Sequence, residues 1–174
     1  KFVEMYGVDH FTTVPESLRK LGLDVGDIDF VVLSHLHFDH AGGATVRTDG
    51  GVEPTYPKAT YVIQRGMWDE ALESNPRTKG SYILDDFVPL EKAGRVRFVD
   101  GDAEVVPGVR VQKSGGHVKH HQIVFAESEG RTALYWADLM PTTKHVRPAW
   151  VMGYDLFPAD VAAMKVRMLE RAVR

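Results

Sequence analysis

Asp29-Phe30-Val31-Val32-Leu33-Ser34-His35-Leu36-His37-Phe38-Asp39-His40 decides how this chain is read. Its first half is a continuous apolar run of strand length, expected where both faces of a strand are covered. Its second half sets three imidazoles and a carboxylate within six residues. Side chains alternate along an extended strand, so His35 and His37 leave on the same side and converge on one point. As the chain turns out of the strand, Asp39 and His40 reach a neighbouring point. Imidazole nitrogen and carboxylate oxygen are donors that a divalent cation accepts, at about 2.0–2.2 Å for zinc. A polar loop after a strand accounts for one histidine, but not for His-x-His-x-Asp-His followed by Gly42-Gly43.

Composition narrows the chemistry. The chain has 174 residues, 44% hydrophobic and 26% charged, which suits one globular domain over residues 1–174. There is no cysteine, so disulfides, thiolate metal sites and cysteine nucleophiles are excluded, whereas eight histidines are available. The formal net charge of -3 gives no global attraction to nucleic acid or an anionic membrane surface. No apolar stretch approaches the roughly 20 residues that cross a bilayer. The chain opens at Lys1 rather than Met and stops at Arg174 inside a helical pattern, so residues are expected to be missing at both ends. A cytoplasmic location is expected, with secretion left open.

Outward from the histidines, Pro15, Leu18 and Leu21 suggest a short helix over residues 15–21. Residues 59–64 read as a strand and 65–74 as a helix; 75–93 is mixed, an insertion that could cover the site. Beyond Arg95 come short strands and turns. Asp100-Gly101 is a hairpin signal after 96–99, Pro107-Gly108 precedes a strand at 109–112, and Glu129-Gly130 joins 122–126 to 132–136. Pro158 opens a helix with Val161, Met164, Met168, Leu169 and Ala172 as its apolar stripe. Alternating elements of this kind make a layered α/β domain.

Residues 26–43, Gly-Asp-Ile-Asp-Phe-Val-Val-Leu-Ser-His-Leu-His-Phe-Asp-His-Ala-Gly-Gly, resemble the signature of metallo-β-lactamase-fold hydrolases. Gly116-His117 with His121-Gln122 is similar to that family's Gly-His-Thr-x-x-His stretch. Tyr135-Trp136-Ala137-Asp138-Leu139 resembles the strand end that supplies an aspartate between two metals. The resemblance runs over residues 22–169. It implies a four-layer αββα fold, here without its first strands and without the last strand, which bears a further histidine. It also implies two divalent metal ions, zinc by default: His35, His37 and His117 on the first, Asp39 and His40 on the second, Asp138 bridging. Ala137 stands where the family usually has glycine, and Val118-Lys119-His120 replaces the commoner Thr-Pro-Gly. His121 and His145 are expected to stand behind the ligands. His10 and His120 are read as surface or packing residues.

Such a site activates a water as hydroxide near neutral pH to attack a carbonyl or phosphoryl centre, with Asp39 able to relay a proton. The segments Tyr61-Val62-Ile63-Gln64-Arg65, Trp68-Asp69-Glu70-Ala71 and Trp150-Val151-Met152-Gly153-Tyr154-Asp155 resemble the branch of quorum-quenching lactonases and organophosphate hydrolases. A lactone or other small-molecule ester is therefore the expected substrate, with Trp150, Met152, Tyr154 and Phe157 either lining its pocket or packing under the last helix. No nucleic acid or membrane partner is expected, and a homodimer is allowed. The competing readings are a glyoxalase II-like thioesterase and a non-catalytic remnant that binds a single metal.

Overall fold

The first helix is set by its own cap. In α1 (Val14–Lys20) the Thr13 hydroxyl accepts from the Glu16 N–H while the Glu16 carboxylate accepts from the Thr13 N–H, and Pro15 sits in the first turn. This computed structural model describes residues 4, 5, 7 and 13–172; His10 lies outside them. After a 3₁₀ turn at Val25–Asp27 come β1 (Phe30–Val32) and the one-turn helix α2 (Phe38–Ala41). A hairpin, β2 (Thr45–Thr48) and β3 (Gly51–Pro54), leads to β4 (Thr60–Gln64) and α3 (Arg65–Leu72). The mixed segment holds a 3₁₀ turn at Leu84–Asp86 and α4 (Val88–Lys92), and β5 (Val96–Val99) follows. Then β6 (Ala103–Val106), β7 (Val109–Lys113), β8 (Gln122–Ser128) and β9 (Arg131–Tyr135) form a meander, and α5 (Pro158–Ala172) returns over it.

Two sheets result. β1, β4 and β5 lie parallel in that order, and β6 to β9 lie antiparallel in sequence order. Three apolar clusters give the layers. Met67, Trp68 and Ala71 of α3 and Leu90 of α4 pack with Tyr61 and Ile63 of the parallel sheet. Val62 and Val99 of that sheet meet Val105 and Val111 of the meander. Ile123 and Phe125 of β8 carry Val161, Met164 and Met168 of α5. Helix, sheet, sheet, helix is the expected αββα order.

Two local expectations need correction. Asp100-Gly101 makes no hairpin: β5 pairs with β4, and the chain crosses to the other sheet before β6 pairs with β7. The turn backbone is held elsewhere, Gln64 donating to the Gly101 carbonyl at 2.7 Å and accepting from its N–H at 2.9 Å. Nor is β1 covered throughout, since among the described residues it pairs only with β4 and Phe30 is 38% exposed. The Glu129-Gly130 hairpin does form, both residues taking positive φ (50° and 72°) as a two-residue turn between twisted strands requires.

A buried amide pair joins the sheets. Gln64, on β4, also donates to Gln122 Oε1 at 2.8 Å, and Gln122, on β8, donates to the Leu33 carbonyl at 2.7 Å. The Gln122 backbone N–H reaches the Ser34 carbonyl at 2.9 Å. Leu33 and Ser34 directly precede His35, so this suture fixes where the first histidine leaves its sheet.

Candidate metal centre

Three connections at one end of the sheets supply the polar side chains. His35, His37 and His40 come from the exit of β1 and from α2, His117 from the β7–β8 loop, and Asp138 from a 3₁₀ turn (Ala137–Leu139) after β9. His37 is extended at the N-cap of α2 (φ -63°, ψ 147°), which lets its ring turn back toward His35. The His117 loop needs both its glycines in the left-handed region, Gly115 at φ +62° and Gly116 at +87°. Ala137 also takes a positive φ of 45°, a conformation in which glycine is the unstrained residue.

The donors meet in two overlapping groups, His35, His37 and His117 in one and His35, His40 and Asp138 in the other. His117 Nε2 lies 3.1 Å from His37 Nδ1 and 3.3 Å from Asp138 Oδ2. The other oxygen, Asp138 Oδ1, lies 3.3 Å from His40 Nε2, and His35 Nε2 is 3.9 Å from Oδ2. Nitrogens bound to one tetrahedral zinc stand about 3.3 Å apart, given bonds of about 2.0–2.1 Å. His35 and His117 are buried, and His35 Nε2 has no hydrogen-bond partner. A buried nitrogen left in that state is costly unless its lone pair is taken up, so this donor set fits a cation.

Asp155 fixes the tautomer of His117. Its Oδ1 lies 2.9 Å from His117 Nδ1, and as a carboxylate only accepts, Nδ1–H is the donor and Nε2 keeps its lone pair toward His37 and Asp138. Asp155 Oδ2 accepts from the Met152 N–H at 2.8 Å. Two backbone bonds tie the same turn to the loop, from Leu156 N–H to the His117 carbonyl and from Phe157 N–H to the Gly116 carbonyl. Sequence reading missed Asp155; the available signal was a carboxylate set among Met152, Leu156 and Phe157, where an acid survives burial only with a partner. An Asp155→Ala protein should bind metal about 10–100-fold more weakly by chelator competition, with its circular dichroism unchanged. Unaltered affinity would remove Asp155 from the site.

Burial and then neighbouring rings depress the imidazoles. His35 is held well below its ordinary pKa, His37 falls to about 4 and His121 to about 3. Burial also pulls His40 down, but the hydrogen bond and charge of Asp138 outweigh it, leaving His40 above its usual value. Burial pushes Asp138 up, and the bond from His40 more than reverses this. The rings of His35, His37 and His121 are thus neutral near pH 7, the state in which imidazole donates a lone pair.

The remaining expected residues are distributed unevenly. Asp39 is at the mouth, its side chain 57% exposed and its Oδ2 3.7 Å from His40 Nε2, outside both groups. His121 stands behind His35, with Nδ1 2.6 Å from Ser114 Oγ and ring centres 5.2 Å apart. His145 is elsewhere, Nδ1 2.9 Å from Thr142 Oγ1, and His120 packs over Gly66. The Tyr154 ring meets His117 edge to face at 5.8 Å, and its phenol is pushed above its usual pKa by burial and by the Asp138, Asp39 and Asp155 carboxylates. Trp150 is exposed and Met152 buried. Phe157 lines a separate cleft with Ser114, Lys119 and Arg167. Tyr82, from the mixed segment, has its ring 5.2 Å from that of His37.

Comparison with known proteins agrees with this geometry. N-acyl homoserine lactonase AiiA of Bacillus thuringiensis subsp. kurstaki is 31% identical over 158 residues, 90% of this chain but 56% of that protein. The chain therefore spans little more than half the length of the curated relatives it matches. A crystal structure of a probable metal-dependent hydrolase from Staphylococcus aureus superposes with a TM-score of 0.89 at 32% identity, covering 97% of this chain and 59% of the other. An N-acyl homoserine lactone hydrolase with N-hexanoyl-L-homoserine at its catalytic metal centre superposes at 0.70 with 26% identity, over 91% and 57% of the two chains. The sequence profile of the metallo-beta-lactamase superfamily matches residues 7–172. With its layers, its histidine-bearing strand exit and almost its whole length matched, the chain belongs to the metallo-beta-lactamase superfamily.

Proposed function

We propose that this chain is a metal-dependent hydrolase that opens a lactone or cleaves another ester of a small molecule, acting as a single domain. His35, His37 and His117 would hold one divalent cation, His40 and Asp39 a second, with Asp138 between them. The observation that carries this is the split of one carboxylate, whose Oδ2 faces His117 and His35 while its Oδ1 faces His40. Zinc is the default for an all nitrogen-and-oxygen donor set of this kind. Bound there, the cations would supply Lewis acidity to the substrate carbonyl and lower the pKa of a water.

The protein's own residues do the rest. Asp155 keeps the His117 lone pair pointing inward. Asp39, exposed beside His40, would accept a proton from water while holding the second cation and relay it to the leaving alkoxide. Tyr154 walls the mouth against His117. The lactonase names of AiiA and the N-acyl homoserine lactone hydrolase favour a lactone.

The test is a substrate panel with metal counted in the same sample: N-hexanoyl homoserine lactone, an aryl ester, a phosphotriester and an acyl-glutathione thioester. Lactone hydrolysis that vanishes on chelation and returns with zinc, at close to two metals per chain, is the expected result. Turnover of the thioester alone would select the thioesterase reading. One metal or none, with no turnover, would leave only a metal-binding remnant.

A further inference from the structure

Three of the four histidine donors have a polar group that sets the ring. Ser34 Oγ lies 3.1 Å from His35 Nδ1, Asp155 takes His117 Nδ1, and His40 faces the carboxylates of Asp39 and Asp138. His37 is different. Among the described residues its one hydrogen-bond partner is another donor, His117 Nε2, 3.1 Å from its Nδ1. Ligating imidazoles are usually oriented through the nitrogen that does not bind, so the His37 ring needs another restraint.

Packing supplies it. The His35 ring centre lies 4.5 Å from that of His37, the His117 centre 4.9 Å and the Tyr82 centre 5.2 Å. Of these rings only that of Tyr82 is not itself a donor. Tyr82 is 7% exposed and belongs to the apolar cluster that holds Trp68 and Phe87. Its hydroxyl donates to Glu70 Oε1, and burial with the Glu70 charge pushes the phenol's pKa up, so the proton stays on the donor. That bond, at 3.4 Å, is long for an O–H donor, so packing rather than the hydroxyl holds the ring. The backbone beside Tyr82 meets the same histidine from a second direction. His37 is the N-cap of α2 and gives it no side-chain cap; the Ser81 carbonyl takes the Phe38 N–H at 2.9 Å. A single helical turn is unstable alone, so this outside acceptor matters. Ser81 is placed by a turn of its own, in which Asn75 Oδ1 accepts from the Arg77 and Thr78 N–H groups and the Thr78 carbonyl from the Ser81 N–H.

We infer that Tyr82 is a positioning residue for the metal centre: its ring fixes how His37 presents Nδ1, while Ser81 fixes the backbone behind it. This rests on the metal-dependent reading and gives the mixed segment a part in it.

Cobalt(II) suits these donors, and its visible absorption reports their geometry. Tyr82→Leu keeps an apolar side chain and removes the ring. Affinity for the first cobalt bound should fall about tenfold in chelator competition, the scale of losing one aromatic pair, and the visible bands should shift. Tyr82→Phe keeps the ring and should restore both affinity and spectrum. A role confined to core packing would lower the urea midpoint of Tyr82→Leu and leave cobalt affinity and bands at parent values, which would overturn the inference. Loss of affinity in Tyr82→Phe as large as in Tyr82→Leu would overturn it too, by assigning the effect to the hydroxyl. Tyr82→Met, whose flexible side chain fills irregular gaps, carries the same expectations if Tyr82→Leu does not fold. A parent protein that binds no cobalt would sink the metal-dependent reading itself, a result distinct from a parent and a Tyr82→Leu protein that bind it equally well.

Discussion

Asp138→Ala should, on the proposed reading, cost at least about a thousandfold in lactone hydrolysis, because the several kcal/mol by which two cations would stabilise developing charge would go with the carboxylate placed to hold both. The loss follows from geometry. Each Asp138 oxygen faces a different set of nitrogens, so no other described side chain substitutes for both. Metal content should fall from two per chain to one or fewer, since His35, His37 and His117 still converge while His40 is left with Asp39 and a His35 shared with the first group. The fold should persist, as Asp138 lies at the site and outside the apolar clusters. Parallel measurement of turnover, bound metal and circular dichroism checks each part. An Asp138→Ala protein retaining both metals and activity would defeat the proposed centre.

Gly116→Ala should be the most damaging single methyl group. The residue sits at φ +87°, and an added Cβ would lie 2.6 Å from Val161 Cγ2 and 3.0 Å from the Val161 nitrogen. Left-handed strain costs on the order of 1–2 kcal/mol for a residue with a Cβ, and forcing apart a packed contact adds a similar amount. Together they approach about 3 kcal/mol, a large share of the roughly 5–15 kcal/mol that keeps a domain folded. Relief by moving α5 would drag the 152–157 turn, and with it Asp155, away from His117. The urea midpoint should therefore drop sharply and metal affinity should drop with it. Gly80→Ala is the control, with nothing within 4 Å of the added carbon and no positive φ. Equal midpoints for the two variants would refute the argument.

The histidine motif was legible because its chemistry is local: alternation along a strand followed by one helical turn brings His35, His37 and His40 together without knowledge of the rest of the fold. His117 and Asp138 needed the family resemblance, since only tertiary structure carries a β7–β8 loop and a turn after β9 to the same end. Asp100-Gly101 misled because turn propensity says nothing about which sheet the next strand joins, and the Gln64 amide decides that. Asp155, Gln64 and Gln122 stayed hidden for a common reason. Each is a polar residue whose partner lies dozens of residues away or in backbone, so no spacing announces it. Phe157, read either as pocket lining or as packing under the last helix, lines a cleft with Ser114, Gly116, Lys119 and Arg167, a placement that depends on tertiary structure.

The glutamine pair between the sheets bears on how the molecule comes apart. Gln122 donates to the Leu33 carbonyl and accepts from Gln64, which in turn holds both polar groups of Gly101. Separating the layers would break all of these bonds at once together with the apolar contacts around them, so neither half can peel off cheaply while the other stays folded. Opening is then cooperative, and the Gln122 amide proton, held by the Ser34 carbonyl, should be among the last to trade with water.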